Sequence, residues 1–143
     1  MSEEYKSSTD YLLVNLENNI LTITLNRPEA LNAYRPEMLI EIREIILKTE
    51  DDPNVAVIVI EGAGKAFSAG VDLKVLQGFD PDSGKIGDLF DKPAALAWDT
   101  FRKSRCPIIA KVHGACFTGA LEMALHRSEE RRVGKECRSR WWP

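Results

Sequence analysis

Two periods alternate along this chain. Residues 11–17 and 20–25 are β-branched and apolar, and Asn18-Asn19 separates them. That pattern predicts a β-hairpin with an Asn-based turn. Asn26-Arg27-Pro28 breaks the second strand. Pro36 suits the first position of a helix, and Glu37 follows it in the first turn. Leu39, Ile42, Ile45 and Ile46 then keep helical spacing to about Lys48, and Asp51-Asp52-Pro53 ends the run. Residues 55–60, VAVIVI, are apolar without alternation, as in a parallel strand covered on both faces.

Farther on, Glu61-Gly62-Ala63-Gly64 predicts a loop, and FSAGVD (67–72) leads into a short helix ending near Gln77. Residues 78–91 are rich in Gly, Asp and Pro and predict a mobile loop. A helix over 94–104, a turn at Cys106-Pro107, a buried strand over 108–112 and a helix starting near Thr118 complete the series. Strands alternating with helices imply an α/β fold. No internal repeat or low-complexity tract interrupts it.

The pattern fails after His126. RSEERRVGKECRSRWWP (127–143) has no apolar period, yet holds two of the three tryptophans. Charge changes at the same place. Residues 1–126 carry 13 Lys+Arg and 19 Asp+Glu, whereas 127–143 carry 6 Lys+Arg and 3 Glu. A basic partner-binding arm is one reading. Residues 127–141 also resemble the conceptual translation of a common sequencing adapter. The expected organisation is therefore a domain portion over 1–126 and a non-native tail over 127–143.

Composition narrows the classes. The 143 residues are 44% hydrophobic and 29% charged, with net charge −3. That suits one soluble domain. A mildly acidic body disfavours nucleic acid as a partner. No apolar run approaches the roughly 18 residues of a membrane span. The polar start MSEEYKSSTD lacks the apolar core of a secretory signal. Cys106, Cys116 and Cys137 form no C-x-x-C pair, so neither a zinc site nor a disulfide framework is expected. A reducing, cytoplasmic setting is the default.

Candidate chemistry lies in two glycine-bearing turns, each after a buried strand. These are Ser68-Ala69-Gly70-Val71-Asp72 and the stretch from His113-Gly114 through Gly119 to Glu122. Glycine permits close backbone approach, and a helix start presents free N–H groups. Two such turns could aim two amides at one oxygen, as in an oxyanion hole. Glu122, one helical turn after Gly119, could reach carbons beside that carbonyl. Plainer readings stand beside these. The glycines serve turns, Glu122 complements the helix dipole, His113 packs or caps, and Asp72 caps its short helix. Nucleotide motifs fail on inspection. Phe67 stands where Gly62-Ala63-Gly64 would need its third glycine, and Gly64-Lys65-Ala66 lacks the P-loop hydroxyl and upstream glycine.

NRPEALNAY (26–34), VIVIEGAGKAFSAGVDL (57–73) and PIIAKVHGACFTGALEMAL (107–125) together resemble the crotonase, or enoyl-CoA hydratase/isomerase, superfamily. The resemblance implies an α/β spiral of repeated ββα units, here truncated, with homotrimers or dimers of trimers as the usual assembly. It implies a coenzyme A thioester as substrate, with no separate cofactor and no metal. Val71 and Gly119 would supply the two oxyanion amides, and Glu122 would be one of two catalytic carboxylates. Ala30, Leu31, Asn32, Ala66, Phe67 and Ala69 would line the coenzyme A path, with Arg27 as a basic phosphate contact. Thr118 and Ala120 replace glycines often found in that turn, while Gly119 is kept. The second carboxylate would lie past residue 143, so the fragment is expected to be inactive. Hydratase, isomerase, hydrolase and decarboxylase activities stay open, as does a non-catalytic acyl-CoA-binding role.

Overall fold

The computed structural model describes residues 5–77, 92–117, 120, 123 and 129–132. The hairpin forms as the pattern requires. β1 (Leu12–Glu17) and β2 (Ile20–Leu25) pair antiparallel, with Glu17 opposite Ile20. Asn18 and Asn19 both take positive φ, 51° and 65°. A two-residue turn of that kind matches the right-handed twist of its strands.

Helix α1 (Pro36–Thr49) has proline at its start and Glu37 in its first turn. Met38, Leu39, Ile42, Ile45 and Ile46 form its buried face. Its end is closed by Arg105, a residue the sequence pattern did not single out. The Arg105 Nη2 donates to the carbonyls of Thr49 (2.7 Å), Asp52 (3.0 Å) and Val55 (3.2 Å). A guanidinium there answers carbonyls that the helix leaves unpaired.

β3 (Val57–Gly62) starts two residues later than the VAVIVI run and absorbs Glu61 and Gly62 from the expected loop. It lies parallel to β2 on one side and to β5 (Ile108–Val112) on the other. Expected burial on both faces is only half realised. Ile58 and Ile60 are buried, while Val57 and Val59 are intermediate. The buried face carries Leu21, Ile23, Leu25, Ile58, Ile60, Ile108 and Ala110 in one core with α1.

β4 (Ala66–Ser68) and β6 (Ala115–Cys116) pair parallel in a second small sheet that the sequence did not suggest. Three residues are too few for a readable period. α2 (Leu73–Gln77) follows, and α3 (Lys92–Lys103) packs near α1. In α3, Trp98 meets Phe101 at 5.8 Å and Tyr34 edge-on at 6.5 Å between ring centroids. The expected loop over 78–91 lies outside the described residues. Ala120 and Met123 are helical and buried.

β7 (Glu129–Arg132) pairs parallel to β5, so the larger sheet runs β1-β2-β3-β5-β7 among the described residues. Ladder pairing uses backbone groups that any non-proline residue carries, so it needs no apolar period. No helix among the described residues is long and apolar enough to cross a membrane.

Candidate functional site

The site begins where β2 ends. Arg27-Pro28 stops the strand, and Pro28–Ala30 makes one 3-10 turn. Leu31 and Asn32 then both take left-handed backbone, φ 50° and 53°. Asn adopts that region readily, whereas Leu does so at a cost of about 1–2 kcal/mol. Such strain persists only where surrounding bonds over-determine it.

Those bonds are present. Asn32 Nδ2 donates to Ala63 O at 2.7 Å and Ala66 O at 2.8 Å, and its Oδ1 accepts from the Arg27 N–H at 2.9 Å. Its own carbonyl accepts from Ser68 Oγ at 2.7 Å. The Ala69 N–H donates to Leu31 O at 2.8 Å. The turn at 28–34 and the strand-turn at 66–72 are thereby laced together.

Gly70 takes φ 92°, which favours glycine. The next residue, Val71, bridges Tyr34 in parallel fashion. In that bridge the Tyr34 N–H donates to Gly70 O (2.8 Å) and the Asp72 N–H to Tyr34 O (3.0 Å). Both bonds on this side belong to Val71's neighbours. The N–H and C=O of Val71 therefore point away from the Tyr34 backbone.

Asp72 does two jobs. Its Oδ1 accepts from the Lys74 N–H at 2.9 Å, the N-cap contact for α2 that the sequence suggested. Its Oδ2 meets Arg27 Nη1 at 2.9 Å, with side chains only 9% and 12% exposed. The Lys74 N–H bond holds the Asp72 carboxyl below its ordinary value; burial opposes this, and Arg27 adds to the lowering. Arg27 Nη1 also donates to Ala33 O at 2.6 Å, and its guanidinium lies 5.2 Å from the Tyr11 ring centroid.

A cleft of about 550 Å³ opens over these turns. Ala30, Ala33, Ala69, Val71 and Leu73 give it apolar walls, with Asp72 and Lys74 as polar groups. Size and lining suit a small-molecule site.

The sequence-selected residues fall into three groups. Ala30, Ala69 and Val71 line the cleft. Asn32, Ala66 and Phe67 are buried at 0%, 1% and 0% exposure and support the turns from beneath. Leu31 is 44% exposed, and Arg27 is engaged by Asp72 and Ala33. Gly119 and Glu122 lie outside the described residues. His113 is partly exposed, with its Nε2 2.8 Å from Gly64 O. Sequence reasoning missed the bond from Ser68 Oγ to Asn32 O and the Arg27–Asp72 pair. No spacing rule joins positions 45 apart.

A sequence profile of the enoyl-CoA hydratase/isomerase family matches residues 15–127, which takes in both glycine turns. The chain belongs to the enoyl-CoA hydratase/isomerase family. A Rhizobium meliloti (strain 1021) protein named "Probable enoyl-CoA hydratase" is 36% identical over 118 residues, covering 82% of this chain and 44% of the relative. The peroxisomal Delta(3,5)-Delta(2,4)-dienoyl-CoA isomerase of Arabidopsis thaliana is 29% identical over 130 residues, covering 85% and 46%. The crystal structure of an enoyl-CoA hydratase from Polaromonas sp. JS666 superposes with a TM-score of 0.79 at 27% identity, covering 85% and 48%. The fold is thus that of the crotonase-type hydratases, and this family member spans less than half the length of the relatives it matches.

Proposed function

We propose that the protein of which this chain carries the site binds an enoyl-CoA thioester and stabilises its enolate through backbone amides, as an enoyl-CoA hydratase. The observation that carries the reading is the Val71 bridge, which turns that amide away from Tyr34 beside an apolar cleft. In the proposal, the thioester oxygen accepts from the Val71 N–H and from the Gly119 N–H. In this reading, negative charge building on that oxygen as water adds to the double bond is met by those two amides. One such donor is worth about 2.7–4 kcal/mol. Glu122 holds and activates the water, with a second carboxylate supplied beyond this chain. General acid–base help of this kind adds roughly 10²–10⁴-fold. The apolar walls suit the acyl portion, and homotrimeric assembly follows the family resemblance.

Both hydratase and isomerase names occur among the relatives. An isomerase uses the same enolate stabilisation and differs in where the proton returns, so it is the second reading.

Acetoacetyl-CoA tests the shared step, because its enolate absorbs differently from its keto form. We expect the chain to bind it and to favour the enolate. Val71→Pro, which lacks the N–H, should lose that preference. Unchanged enolate absorbance in Val71→Pro would remove the oxyanion assignment.

A further inference from the structure

Three short segments converge on one buried amide. Asn32 has two amide hydrogens, and both reach carbonyls on either side of the turn between β3 and β4, those of Ala63 and Ala66. Its Oδ1 accepts from the Arg27 N–H, and its main-chain N–H donates to Arg27 O at 2.8 Å. The side chain is fully buried, so it touches no ligand in the cleft.

The consequence runs outward to Val71. The Asn32 carbonyl receives the Ser68 hydroxyl at 2.7 Å, and Ser68 Oγ in turn accepts from the Gly70 N–H at 3.1 Å. On the same turn, Leu31 O accepts from the Ala69 N–H and Tyr34 N–H reaches Gly70 O. Residues 68, 69 and 70 are each tied to the 31–34 turn, and Val71 is the next residue. The left-handed backbone at Leu31 and Asn32 aims those two carbonyls at the loop. Holding it there is the job of the Asn32 side chain.

We propose that Asn32 is a positioning residue for thioester enolate stabilisation: acting through Ser68, it fixes the direction of the Val71 N–H. This rests on the oxyanion reading above. A donor's value depends on its aim, and a misplacement of about 1 Å can cost about 10²-fold. Aspartate has nearly the same shape as asparagine. In Asn32→Asp, however, a carboxylate oxygen replaces the Nδ2 donor and faces the Ala63 and Ala66 carbonyls. The turn must then relax, and the aim of Val71 is lost before the core is.

The test uses the 143-residue chain, acetoacetyl-CoA and free coenzyme A, with wild type, Asn32→Asp, Ser68→Ala and Val71→Pro compared. The readouts are the apparent pKa of the bound probe, the coenzyme A affinity and the melting curve. We expect Asn32→Asp and Ser68→Ala to lose roughly tenfold or more of the enolate preference. Ser68→Ala should keep its coenzyme A affinity, and both variants should keep a cooperative melt. A residue that only maintained the fold would lower all three together, and that result overturns the proposal. Full enolate preference in both variants, with its loss in Val71→Pro, also overturns it while leaving the oxyanion reading intact. Wild-type behaviour in Val71→Pro, or no preference in wild type, removes the oxyanion reading and the role of Asn32 with it.

Discussion

Asp72 holds Arg27 where water scarcely reaches. Asparagine at this position would keep the shape but leave the guanidinium without its anion. Loss of such a partner from a buried site costs roughly 1–3 kcal/mol. We expect Asp72→Asn to lower the denaturation midpoint accordingly. The pair also sets a pH dependence. The Lys74 N–H and Arg27, acting against burial, depress the folded-state pKa of Asp72 below its unfolded value. Its stabilisation is therefore complete above the unfolded carboxylate value, about 3.9. It drains as pH falls through the lower, folded value. Melting curves across the acid range should show a smaller acid loss in Asp72→Asn than in wild type. Equal slopes would show that Asp72 contributes nothing to acid unfolding. The sequence marked Asp72 as a cap. It could not mark the ion pair, because Arg27 arrives from another segment.

The N-terminal segment is held to the α1 element by one carboxylate. Glu41, 7% exposed, accepts hydrogen bonds from Ser7 Oγ (2.7 Å), Ser8 Oγ (3.1 Å), Thr9 Oγ1 (2.8 Å) and the Ser8 N–H. Burial pushes its pKa up, and the bonds from Ser7, Thr9 and Ser8 outweigh that and hold it below the ordinary value. Glu41→Ala should release residues 5–10, seen as faster amide exchange there, at a cost of roughly 1–3 kcal/mol. Unchanged exchange would show that other contacts suffice, such as the Tyr5 hydroxyl donating to Asp52 at 2.6 Å and Asn26 Nδ2 donating to Asp10 O at 3.1 Å. The β5–β6 connection is tighter still. Gly114 has φ 59°, and a Cβ there would fall on the Lys65 carbonyl. Backbone cannot move aside as a side chain can. Gly114→Ala should therefore cost more than about 2 kcal/mol in a denaturant titration; a smaller loss would mean that β4 and β6 can separate cheaply.

For the whole molecule, the described core is one face of a sheet under α1 and α3. The other face is partly open, with Leu13 53% and Ile20 43% exposed. The chain spans less than half of the relatives it matches. On the proposed reading, binding and enolate polarisation draw on the cleft at Val71, whereas hydration draws also on a second carboxylate. We expect this chain to bind acetoacetyl-CoA but not to hydrate crotonyl-CoA. Loss of the enoyl absorbance on incubation, proportional to protein and absent from a Val71→Pro preparation, would show that the chain is a complete catalytic unit.

Much of the architecture was legible because its causes are local. The Asn18-Asn19 turn, the proline-led α1 and the apolar strands β2, β3 and β5 follow from residue type and period. The glycine turn at Gly70 and the cap at Asp72 were legible for the same reason. The family resemblance pointed to Val71 and to the Ala30–Asn32 turn before any coordinate. Tertiary structure decided what needs two distant segments at once. It decided that β4 and β6 pair, that Arg105 closes α1, and that Arg27 meets Asp72. It also decided that Asn32 stands beneath the cleft with every amide hydrogen bonded. Spacing along a chain records which face a residue shares with its near neighbours. It carries no record of which backbone carbonyls will lie within 3 Å once the chain has folded.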